Sequence, residues 1–124
     1  MAEVYFTPRE LDVMSVLWRD GSGTVADVRD ALQEPLAYTS VLSALQTLEE
    51  KGFVTHKAEG RAYRYFPVVD SERAGSSALS RIRDAMFQGS AERLLAQLVS
   101  GKEVPREELE RMRTLLESRL KELP

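Results

Sequence analysis

Three groups of side chains are the candidates for chemistry: the lone histidine His56, the carboxylate pairs Glu49-Glu50 and Glu107-Glu108, and a polar strip made of Thr39, Ser43, Gln46 and Thr47. His56 has no second imidazole and no cysteine to work with, so neither a metal set nor an assisted nucleophile assembles around it. A surface or phosphate-proximal position suits it better. Neighbouring residues on a helix point ~100° apart, so each glutamate pair fits a solvated face better than shared acid–base work. No glycine-rich phosphate loop, nucleophile elbow or metal motif occurs. The expectation is a non-enzyme with no catalytic residue, no metal and no cofactor.

The polar strip suggests recognition instead. On a helix over residues 38–51, Val41, Ala44, Leu45 and Leu48 share one side, while Thr39, Ser43, Gln46, Thr47 and Glu50 share the other. Such side chains are short enough to let a helix enter the major groove of double-stranded DNA. Gln46 can pair bidentately with adenine, and serine or threonine can meet several base edges. Ser40 and the Tyr38 hydroxyl can donate to phosphates, as can the first amides of the helix. Leu42 lies on the boundary, against a thymine methyl or against the core. The net charge of −3 argues little against this, because phosphates respond to the local field. From Lys51 to Phe66 the basic residues Lys51, Lys57, Arg61 and Arg64 face one acid, Glu59.

The elements that must position these residues are legible in turn. Thr7-Pro8-Arg9-Glu10 reads as a cap, a proline at the first helical position and a capping box, followed by an apolar face of Leu11, Met14, Val16, Leu17 and Trp18. Gly21-Ser22-Gly23 ends that helix and Thr24 caps a second, short one that stops near Glu34-Pro35. The third runs to Lys51 and ends at Gly52. Phe53–Glu59 and Ala62–Pro67 then read as a hairpin turning at Gly60-Arg61, with Arg61 and Arg64 at or beside its tip. Tyr63 and Tyr65 share one strand face, one or both in the core, with Arg64 on the other. Helix, helix, turn, helix, hairpin is the order of a winged helix-turn-helix.

After Val69 the pattern changes. A helix capped by Asp70 or Ser71 carries Leu79, Ile82, Met86 and Phe87, although Gly75, Ser76 and Ser77 weaken its first turns. Ala91 to Ser100 bears Leu94, Leu95, Leu98 and Val99, and a last helix from Arg106 to about Leu120 bears Leu109, Met112, Leu116 and Leu120. None of these stripes can bury itself. They can pack on the N-terminal domain or on the same helices of a second chain; the second is favoured, because a winged domain already has a complete small core. The expected fold is mainly α with a small β-hairpin wing, a winged helix-turn-helix domain over 1–69 followed by a helical dimerisation domain over 70–124. No apolar run could span a bilayer, residues 1–5 do not resemble a signal peptide, and cysteine is absent, which together suggest a cytoplasmic protein without membrane contact.

At this level of detail the chain resembles the penicillinase repressors, the BlaI/MecI/CopY family of winged-helix regulators. The resemblance rests on Thr7-Pro8-Arg9-Glu10-Leu11-Asp12-Val13-Met14 with Leu17-Trp18, and on Thr24-Val25-Ala26-Asp27-Val28. It continues through Ala37-Tyr38-Thr39-Ser40-Val41, Leu45, Leu48, Glu50-Lys51-Gly52-Phe53-Val54, Gly60-Arg61-Ala62-Tyr63-Arg64-Tyr65 and Glu107-Glu108-Leu109-Glu110. It implies a homodimeric repressor on a palindromic operator, often with a TACA/TGTA core. The DNA-contacting positions would be Tyr38, Thr39, Ser40, Ser43, Gln46, Thr47, Arg61 and Arg64, and the interlocking C-terminal helices would supply Leu79, Ile82, Met86, Leu94, Leu95, Leu98, Leu109, Met112 and Leu116. Family members often carry basic residues where this chain has Leu42 and Thr47, which implies weaker phosphate or guanine contacts here. The Asn-Phe bond cleaved in antibiotic-responsive members aligns with Gln97-Leu98, and the cysteine motif of copper-responsive members is absent. A regulatory protease or effector, if one acts, is unidentified. Two other readings compete: a winged helix used for protein–protein assembly, and an enzyme subunit whose site needs a partner chain.

Overall fold

Thr7 and Glu10 close a reciprocal capping box at the start of the first helix, α1 (Pro8–Asp20), and Gly21 ends it in the left-handed conformation at φ 85°. In the structure, a computed structural model that describes residues 4–124, a two-residue strand β1 (Gly23–Thr24) follows. Thr24 then caps α2 (Val25–Ala31) through a second box with Asp27. The third helix, α3, spans Tyr38–Glu50. The hairpin is β2 (Val54–Glu59) and β3 (Ala62–Pro67). Helices α4 (Ser71–Met86), α5 (Ala91–Val99) and α6 (Arg106–Glu122) complete the chain. The architecture is mainly helical with a winged helix-turn-helix, as the order of elements predicts.

Three details depart from the sequence reading. The wing sheet has a third strand, in the order β1-β3-β2 and antiparallel throughout, with Gly23 opposite Tyr65 and Thr24 opposite Arg64. Gly23 packs closely there: an added Cβ would sit 3.3 Å from the Val28 side chain, which would have to give by a few tenths of an ångström. The second helix stops at Ala31, not near Pro35, and Leu32 takes an extended conformation. Leu11, placed on the apolar face of α1, is 49% exposed, and Glu10 is buried in its stead.

The chain divides into two compact units, one up to Leu79 and the other from Ser80. In the first, Val13, Met14, Leu17, Val28, Val41, Leu45 and Leu48 are fully buried, so α1, α2 and α3 cover one another's apolar stripes. Burying side chains of this size contributes about 1.5–3 kcal/mol each. Phe6 stands edge-on to Trp18 and to Phe53, and the Trp18 indole N–H donates to the Val69 carbonyl at 2.9 Å, anchoring the chain where it leaves the wing. Asp70 caps α4 by accepting from the Arg73 amide. The small residues of its first turns have a use. Ala74 is buried, and the Ser77 hydroxyl donates to the Val4 carbonyl at 3.0 Å while accepting from the Val4 amide at 3.3 Å.

From Ser80 onward no described residue is buried. Gly89, with φ 80°, makes the turn after α4, and Ser90 caps α5 by accepting from the Arg93 amide. Pro105 precedes α6, whose first turn carries Glu107 and Glu108 and whose last carries Arg119 and Lys121, each sign at the favourable end of the helix dipole.

Candidate nucleic-acid interface

Helix α3 is held from beneath and open above. Val41, Ala44, Leu45 and Leu48 are buried, and Leu42 packs against the core edge. Thr39, Ser43 and Gln46 are exposed, while Ser40 and Thr47 are half-buried. Tyr38 is 45% exposed, with the Arg29 guanidinium 5.9 Å from its ring centre. Thr39, Ser40, Ser43 and Thr47 line one open hollow, and Tyr38 and Gln46 are exposed on the same helix. Unlike α1 and α2, α3 has no capping side chain: Ala37 precedes it, and the Tyr38 and Thr39 amides have no acceptor among the described residues. Those amides are available to an anion.

The far end of α3 is pinned. Lys51, just past it, reaches back to Glu10 with contacts of 2.8 and 3.0 Å to the two carboxylate oxygens. Glu10 also accepts from the Thr7 amide at 2.9 Å. Burial opposes its charge, but the Lys51 and Thr7 hydrogen bonds outweigh that and hold the carboxyl below its ordinary value. The pair ties the start of α1 to the end of α3 across 41 residues. Sequence reading missed this pair. The helix wheel held a signal, since at ~100° per residue Glu10 falls between Met14 and Leu17 on the buried arc.

The wing places its two arginines differently. Arg61 occupies the turn after Gly60, exposed and without an ion pair among the described residues. Arg64 is not at the tip. It sits mid-strand opposite Lys57 and Thr24, donating to Glu59 at 3.0 and 2.9 Å and to Ser22 at 3.2 Å, with Asp27 at 3.4 Å. Its bond to Glu59 pulls that carboxyl below its ordinary range, and the Thr24 amide does the same to Asp27. Arg64 thus braces the wing against the capping box of α2. His56 makes a comparable brace, its Nδ1 2.7 Å from Glu49 on the last turn of α3 and its ring against Tyr63 at 4.6 Å. Tyr65 is buried, and Tyr63 is 52% exposed.

A helix-turn-helix whose second helix presents a polar strip, followed by a hairpin wing, defines the winged-helix DNA-binding class. Residues 6–118 match the family model of the penicillinase repressor. A transcriptional regulator BlaI of Mycobacterium tuberculosis is 35% identical over 94 residues, spanning 73% of this chain and 68% of that protein. The solution structure of the DNA binding domain of the repressor BlaI superposes with a TM-score of 0.53 at 27% identity, covering 58% of this chain and 90% of the other. Bacillus licheniformis BlaI, solved in monomeric form in complex with the blaP half-operator, gives 0.50 at 27% identity over the same shares. The chain belongs to the penicillinase repressor family and is, by class, a DNA-binding transcriptional repressor.

Proposed function

We propose that the chain is a homodimeric, cytoplasmic repressor that reads a palindromic operator, one α3 helix in each half-site. Tyr38, Thr39, Ser40, Ser43, Gln46 and Thr47 form the reading face, Gln46 contacts a base edge, and Arg61 lies over the neighbouring backbone. The observation that carries this reading is the exposed polar strip of α3 on a fully buried apolar base. The half-operator complex of Bacillus licheniformis BlaI supports the same use of the domain.

The dimer is proposed to form through the helices from Leu79 onward. Leu79, Ile82, Met86, Leu98, Leu109 and Leu116 are exposed at 39 to 67%, and Leu94, Leu95 and Met112 are half-buried. A second copy supplies an equal set of stripes and places two α3 helices a helical turn or more apart. Gln97-Leu98 stands where the family's Asn-Phe bond aligns, so a protease of that specificity lacks its usual bond there, and the regulatory protease or effector is unidentified.

Selection of bound duplexes from a random pool, with sedimentation of the complex, tests this. Enriched inverted repeats carried by two chains are expected. An assembly module would enrich nothing and bind DNA without log-linear dependence on salt.

A further inference from the structure

Helix α3 has an electrostatic deficit. From Tyr38 to Glu50 it contains no basic residue and two glutamates, of which Glu49 is paired with His56. A helix approaching a polyphosphate chain in that state needs a cation supplied from outside itself. The basic residues of the winged unit are unequally available. Arg19, Arg29, Lys51 and Arg64 are each within ion-pair distance of a carboxylate. Arg9, Lys57, Arg61 and Arg73 have no such partner among the described residues.

Lys57 and Arg61 belong to the wing, and Arg73 to α4. Among the described residues, Arg9 is the cation without an ion pair that lies beside α3. It lies in the first turn of α1 and lines one open hollow together with Thr7, Thr39, Ser40, Ser43 and Thr47, four of which belong to the reading strip. Among the described residues the one carboxylate lining that hollow is Glu10, whose charge is met by Lys51 at 2.8 Å. Arg9 also borders a second hollow with Asp12 and Glu34, yet pairs with neither. Arg9 is therefore exposed, has no ion-pair partner among the described residues, and borders the hollow that the recognition strip lines.

We propose that Arg9 is a DNA-backbone contact, its guanidinium engaging a phosphate beside the groove that α3 enters. The inference rests on the DNA-binding reading above and adds to it a residue outside α3 and the wing. A guanidinium presents two parallel N–H donors to a phosphate, and this contact positions α3 without reading sequence. Thr39, whose amide has no capping side chain, lines the same hollow as Arg9, so a backbone donor and a side-chain donor border one space.

The test uses the full chain with two probes, a duplex enriched by selection and a duplex of mixed sequence, titrated by fluorescence anisotropy across a salt series. For Arg9→Ala, the slope of log affinity against log salt is expected to flatten by about 0.9 per bound chain. Affinity is expected to fall by the same factor on both probes. Arg9→Lys should restore the slope. Lys102→Ala, which removes one charge from the exposed segment between α5 and α6, should leave it unchanged. Thermal melts of Arg9→Ala are expected to match the parent, because Arg9 is exposed at the helix start. A parental slope for Arg9→Ala overturns the assignment, and so does a loss confined to the selected probe. A parent chain that shows no salt-dependent binding overturns the DNA-binding reading itself, and that result is visible before any substitution is made.

Discussion

Helices α3 and α6 are both amphipathic, and they end in opposite conditions. The apolar stripe of α3 is covered entirely by its own chain, so its polar side is left for another molecule. The stripe of α6 is uncovered: Leu109, Leu115, Leu116 and Leu120 are 39 to 70% exposed. What stabilises α6 on its own is slight. Its pairs Arg106–Glu110 and Arg113–Glu117 lie on the surface, and such i,i+4 pairs contribute about 0.3–0.5 kcal/mol each. One buried leucine is worth several of them. The winged unit is thus complete as folded, whereas the unit from Ser80 has its main source of stability still to be supplied. The dimeric repressor proposed above needs one part of each kind.

The strongest way to break that contrast is to cut it. A chain ending at Leu79 keeps every buried residue of the core, including Ala74, and the Val4–Ser77 bonds. It is expected to remain folded by circular dichroism, sediment as a monomer and lose about 10²–10⁴-fold in affinity for the full operator, because the second half-site is no longer tethered. A fragment that binds the palindrome as tightly as the parent would end the dimer proposal. Point substitutions sharpen the same contrast. Leu45→Ala should cost about 2–5 kcal/mol in denaturant unfolding at any protein concentration. Leu116→Ala, on an open stripe, should instead lower the melting temperature most at low concentration, where the dimer is already dissociating.

The parts of the winged unit fixed by local chemistry were legible in sequence. Thr7 with Glu10, Thr24, Gly21 and Gly52 are signals within a turn of what they terminate, and the four buried residues of α3 follow from its period. What escaped notice depends on distant partners. A two-residue strand such as Gly23–Thr24 has no period, and both residues already had a role as turn and cap. The Glu10–Lys51 pair and the capture of Arg64 by Glu59 and Asp27 join segments that no spacing rule links. Basic character in a sequence window therefore overstates the charge available to DNA, since Lys51 and Arg64 are both spent internally.

Gln46 gives a smaller and more selective effect. If its amide reads a base edge, Gln46→Ala should weaken binding by about 1–3 kcal/mol and relax one operator position per half-site, with the salt slope unchanged. Arg64→Ala should act differently from both Gln46 and Arg9. With Glu59, Asp27 and Ser22 released, the wing loses its brace, and amide exchange in β2 and β3 should quicken even in the absence of DNA.

The smallest effect is expected at Glu10, and pH is the means to see it. Its carboxyl ionises more readily in the folded chain than at its ordinary value of 4.5, because Lys51 and the Thr7 amide favour the charged form more than burial disfavours it. The stabilisation is therefore complete above that value and disappears as pH falls through the lower folded one, where the native state must take up the proton it resists. Lys51 is one-third exposed, so water screens the pair and the contribution is about 1 kcal/mol. Glu10→Gln keeps an acceptor for the Thr7 amide but not the charge. It should be slightly less stable near neutrality, and its unfolding free energy should decline less than the parent's on acidification. Equal acid sensitivity in the two proteins would show that the clasp between α1 and α3 holds by shape and capping alone.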